Sequence, residues 1–205
     1  MKKSSDTNKL IQKLTQQSQP FKYKNPTSQF WAMIVISVLI CGAFVGLSHN
    51  NVAETLQARP VQFGLWFILA AYGLWLIKKL LQPTNFRAGR HLTLYLLALL
   101  LSLTFTAQFD NSTTNTKSDL HCAAFIIALY IPLLFIACAF LQKSYSTQPF
   151  KLSIISSATL ATLTLISIEL VCTLESVDHS FISHFLNLLG LFFIASFTCS
   201  KLFKW

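Results

Sequence analysis

Two cysteines, Cys122 and Cys172, carry the most chemistry this sequence offers, and polar residues gather near both of them. His121 precedes the first, Glu169 lies three positions before the second, and Glu175, Asp178 and His179 follow it, with His184 at the margin. Two thiols facing an oxidising compartment form a disulfide if their Cα atoms come within about 4.4–6.8 Å. Thiolate, imidazole and carboxylate together bind a soft or borderline metal such as zinc, cadmium or copper. The spacing of Glu169 and Cys172 puts them on one face of a helix. Either chemistry would convert an external event into a change of packing between two helices. The plain alternative is two unlinked cysteines near a wet interface.

The elements that must position these groups are six apolar stretches, at 30–48, 61–77, 91–108, 120–141, 150–174 and 182–200. Each is roughly 17–25 residues long, the length a helix needs to cross about 30 Å of hydrocarbon. Backbone groups in lipid have no water to bond, so only helices or closed barrels span. Runs such as Phe30 to Leu47 lack the alternation of barrel strands. The expected fold is all-α: a polytopic integral membrane protein with six transmembrane helices. It divides into an N-terminal arm, 1–29, and a transmembrane domain, 30–205. With 53% hydrophobic and 11% charged residues, soluble and disordered classes are excluded.

Charge sets the orientation. Of 16 Lys and Arg residues, only Arg59 and Lys117 fall on one side of the six spans. The other side holds the arm's lysines, Lys78, Lys79, Arg87, Arg90, Lys143, Lys151, Lys201 and Lys204. The positive-inside rule therefore puts both termini in the cytoplasm. Cys122 and the end of the fifth span, with Cys172, then face outward. The net charge of +9 follows from this topology and from anionic headgroups, so no direct nucleic-acid binding is expected. No cleavable signal peptide precedes the first span.

The arm itself reads as a short helix capped by Asp6 or Thr7, with Leu10, Ile11 and Leu14 as an apolar stripe. Such a stripe suits either the lipid surface or a helix-in-groove contact with a soluble partner. Cys41, Cys138 and Cys199 sit within spans, where a small packing residue is the simplest role. Glu169 is the one acid inside a span, a functional position by default. Pro132 marks a kink point in the fourth helix. There is no Walker-type loop, zinc-binding Cys motif, nucleophile elbow or His-Glu-x-x-His, so no enzyme is expected and no cofactor is required. A transient metal ion at the outer thiols is the one ligand these residues allow. A structural subunit of a membrane complex is the alternative role, and a small transporter a third.

The order of several motifs resembles the NrsF-like family (domain of unknown function 1109), over nearly the full length. They are Thr7 to Leu14, Leu81-Gln82-Pro83, Cys122 opening span four, Pro132, Gln148-Pro149, Cys172, Glu175, Phe181 and the closing Leu202-Phe203-Lys204-Trp205. The family comprises six-span proteins of the bacterial inner membrane acting as negative regulators, or anti-sigma factors, of extracytoplasmic-function (ECF) sigma factors. The resemblance implies that the cytoplasmic arm and inner loops hold a sigma factor. It further implies that oxidant or heavy metal acting through Cys122 and Cys172 weakens that hold. The spans here are richer in Phe, Ser and Thr than the Ala/Leu-rich family pattern.

Overall fold

The computed structural model describes residues 26–48, 52–82, 88–106, 116–142, 146, 148–172 and 184–202. Among these residues the chain is all-helical, with seven helices. They are α1 (Pro26–Leu47), α2 (Val52–Ala58), α3 (Pro60–Leu80), α4 (Ala88–Thr106), α5 (Thr116–Leu141), α6 (Pro149–Val171) and α7 (Asn187–Leu202). A π-helical turn at residues 184–186 leads into α7. Leu10, Ile11 and Leu14 lie outside the described residues.

Proline sets two of the starts. Pro60 and Pro149 each open a helix, where the missing N–H would be unpaired anyway and the fixed φ suits the first turn. Lys78 and Lys79 close α3 and Lys201 closes α7, each complementing a helix C-terminus. α5 stays helical through Pro132, giving up one backbone hydrogen bond there.

Five helices are long and apolar enough to cross a membrane: Thr27–Leu47, Pro60–Leu80, His121–Leu141, Pro149–Val171 and His184–Leu202. The third expected span coincides with α4, of which Ala88–Ser102 is apolar among the described side chains. Arg90 and His91 occupy its first turn. α2 falls in a stretch expected to be an outer loop.

The bundle is organised around α6, which packs against each of the other six helices. Seventeen of its 23 residues are buried. Its sequence explains this, because Ser, Thr and Ala side chains let neighbouring backbones approach closely where lipid supplies no hydrophobic drive. Some of the hydroxyls bond to the helix itself: Thr159 donates to the Ile155 carbonyl at 2.7 Å and Thr162 to that of Ala158 at 2.9 Å. Others tie helices together. Ser153 donates to the Ser196 carbonyl on α7 at 2.6 Å, and Tyr130 on α5 donates to the Ser157 carbonyl at 3.3 Å. The Tyr95 hydroxyl on α4 lies 3.4 Å from that of Thr159. Gly73 on α3 lies against α6 and α4, because a Cβ there would collide with the Thr159 hydroxyl and stand 2.7 Å from that of Tyr95.

The two ends differ in chemistry. At one, Lys78 lies over Trp31 and Lys79 over Trp75, while Trp75 stacks on Tyr72 and Tyr72 reaches His91 Nδ1 at 2.8 Å. Ser146 donates to the Leu80 carbonyl at the same end. Aromatic rings and lysines of this kind mark a membrane–water interface. The opposite end carries Arg59, Glu169, Cys122, Cys172 and His184.

Candidate functional site

The site forms where α5 begins, α6 ends and α7 is entered. Cys122 sits in the N-terminal part of α5, and its sulfur is 3.5 Å from that of Cys172. α6 ends at Val171, so Cys172 is a cap and not a helical residue, in correction of the sequence expectation. Its backbone is extended (φ −78°, ψ 118°) and its N–H donates to the Ile168 carbonyl at 2.7 Å. The change of backbone direction at Cys172 turns its thiol toward α5. Both thiols are half-buried.

His184, at the entry to α7, is the third member. The Cys122 and Cys172 sulfurs and an imidazole nitrogen of His184 all lie within 4.8 Å of one another, a set able to hold a metal ion. His184 is only 1% exposed. Its Nδ1 lies 2.8 Å from Glu169 Oε1, while the other carboxylate oxygen is 3.8 Å from an Arg59 guanidinium nitrogen. Glu169 thus sits between a cation and a ring, which answers how a span keeps a buried acid. Helix α2 and the start of α3 bring Arg59 there, and α2 packs against α6.

Of the residues expected at the site, Cys122, Cys172 and Glu169 meet. His121 does not join them: its side chain is exposed and gives no atom to the cluster, because its place on α5 turns it off the face that carries Cys122. Glu175, Asp178 and His179 lie outside the described residues. His184 is more central than its marginal place in the sequence suggested. The signal was present, since a histidine at the start of a span on the cysteine-bearing side is an uncommon placement.

A second thiol pair appears at the other end. Cys138 on α5 and Cys199 on α7 are both buried, with their sulfurs 2.8 Å apart. Sequence reasoning treated each as a separate packing residue. α5 therefore carries one thiol of each pair, about 24 Å apart along its axis at 1.5 Å per residue. An apolar cavity of about 260 Å³ lies between α4, α6 and α7, lined by residues such as Leu96, Leu165, Leu188 and Phe192, with no ionisable side chain in its wall.

No family model, no curated protein and no solved structure matches this chain.

Proposed function

We propose that this chain is a membrane-bound negative regulator, of the anti-sigma type, that retains an ECF sigma factor at the cytoplasmic face. An oxidant or heavy metal acting on Cys122 and Cys172 at the outer face releases it. The observation that carries this reading is the 3.5 Å approach of those two sulfurs, one on α5 and the other at the cap of α6, which are the pair the family resemblance singles out. In this reading α4 completes six crossings, and the end bearing Lys78, Lys79 and the aromatic belt faces the cytoplasm of a bacterial inner membrane.

The energetics are modest. A tenfold loss of sigma affinity corresponds to about 1.4 kcal/mol. A covalent link between Cys122 and Cys172 admits only packings that bring the two sulfurs to bonding distance, and so biases the bundle between two states. Both thiols abut helices that reach the opposite end, so a shift at the outer face has a continuous packed route inward. The apolar wall of the cavity beside α6 weighs against solute transport, which needs polar groups near the midplane.

The test is co-purification of soluble partners with the solubilised chain, beside a form lacking residues 1–19. Capture of a sigma factor that is lost with the arm assigns docking to the stripe of Leu10, Ile11 and Leu14. Capture that survives moves docking to the inner loops. No sigma factor in either sample overturns the regulator reading in favour of a structural subunit.

A further inference from the structure

The outer thiols do not stand alone, and the groups around them decide which chemistry the site favours. We propose that Cys122, Cys172 and His184 form a binding site for a thiophilic divalent cation of the zinc–cadmium class, with Glu169 orienting the imidazole and Arg59 balancing Glu169. The proposal rests on the outer-face sensor reading above and specifies its ligand.

Geometry comes first. A tetrahedral ion with metal–sulfur bonds of about 2.3 Å has sulfur–sulfur edges of about 3.8 Å. The Cys122 and Cys172 sulfurs are 3.5 Å apart, within a few tenths of an ångström of that edge. A disulfide of about 2.05 Å requires them to close by a further 1.5 Å or so. The imidazole supplies a third donor within 4.8 Å of both sulfurs. Three protein donors leave a tetrahedral ion one position for water or an incoming ligand.

The surroundings are those of a metal-binding histidine. Such rings are held by a carboxylate or carbonyl behind them, which fixes their orientation. Here Glu169 does this at 2.8 Å, and its second oxygen is occupied by Arg59. Both Glu169 and His184 are buried, so the ring has little freedom to turn away.

Charge selects the valence. When M²⁺ enters, two S–H bonds break, two metal–sulfur bonds and one metal–nitrogen bond form, and two protons leave to water at the outer face. Two neutral thiols are replaced by two thiolates and a dication, so the net charge of this half-buried site does not change. A monovalent ion held by both thiolates would leave one uncompensated negative charge beside Glu169, which low-dielectric surroundings disfavour.

The test uses the full chain in detergent, with Cys41, Cys138 and Cys199 replaced by serine so that only the outer thiols remain. Cadmium is titrated, and the sulfur-to-cadmium charge-transfer band is followed together with proton release. The expected result is one cadmium and about two protons per chain. Affinity should fall about 10–100-fold in Glu169→Gln, which preserves shape but weakens the hold on the ring. His184→Asn should weaken binding at least as much, and Cys122→Ser should abolish the band. A parallel measurement needs no variant: cadmium should protect Cys122 and Cys172 of the unaltered chain, but not Cys41, from maleimide. Absence of the band and of protection overturns the proposal, as does a cadmium affinity unchanged by His184→Asn. These readouts involve no sigma factor. A metal site without sigma capture would remove the regulator reading alone, and thiol-dependent sigma release without metal binding would remove the metal site alone.

Discussion

Replacing Gly73 with alanine tests the close contact between α3 and the hub helix α6. The added methyl meets the Thr159 hydroxyl and stands 2.7 Å from the Tyr95 hydroxyl and 3.1 Å from Tyr95 Cζ. Ordinary carbon contacts begin near 3.5 Å, so α3 has to back away from α6 by several tenths of an ångström or more. Overpacking of this kind costs about 1–3 kcal/mol. Unfolding in mixed SDS–detergent micelles should register a loss of that size for Gly73→Ala. Thr159→Ala alone should cost about 1 kcal/mol, through the hydrogen bonds it removes. The double variant should lose less than the sum of the two, because the methyl then occupies the space the threonine vacates. A coupling of at least 1 kcal/mol in the favourable direction is expected. Strict additivity, or a Gly73→Ala chain as stable as the original, would show that α3 and α6 do not approach at this point.

The remaining expectations concern function, redox chemistry and orientation. Cys122→Ser or Cys172→Ser should leave repression intact and abolish induction by thiol-reactive stress in a reporter strain; normal induction in either removes the sensor role. In a chain retaining only Cys138 and Cys199, a membrane-permeant azo oxidant should link α5 to α7 within the chain, taking two electrons and two protons from the thiols. Peptide mapping that finds both thiols still alkylatable would contradict their 2.8 Å approach. Single cysteines placed at Glu54 and at Arg90, in a cysteine-free chain, should be labelled by an impermeant maleimide from opposite faces of the membrane. Labelling of Arg90→Cys in intact cells would invert the orientation.

The sequence alone carried the membrane class, because a helix that must cover its own backbone polar groups in lipid needs a long apolar run, and such runs are visible without structure. It also carried the pairing of Cys122 and Cys172 across distant positions, since loop charges place both at one end of the bundle. Rotation of each helix about its axis was not accessible in this way. α1, α5 and α7 are apolar nearly all round, so hydropathy does not say which residue faces which neighbour. That is why Cys138 and Cys199 were read as separate packing residues and His121 was grouped with Cys122, whose face it does not share. The end of α6 was placed three residues late, because apolar residues continue through Leu174 while the helix stops at Val171. α2 is too short and too polar to stand out between two spans.

The order of synthesis gives the hub helix a further significance. Ser153, Ser156, Ser157, Thr159, Thr162, Thr164 and Ser167 make α6 a poor guest for bare lipid, yet all of them are buried in the finished fold. When α6 leaves the ribosome, α1, α3, α4 and α5 have already been made and together present the slot it fills. Its last wall, α7, arrives only afterwards and brings the Ser196 carbonyl that Ser153 needs. A chain interrupted before α7 would leave the Ser153 hydroxyl without that carbonyl partner. The burial of α6 is therefore finished by a helix that follows it in the chain.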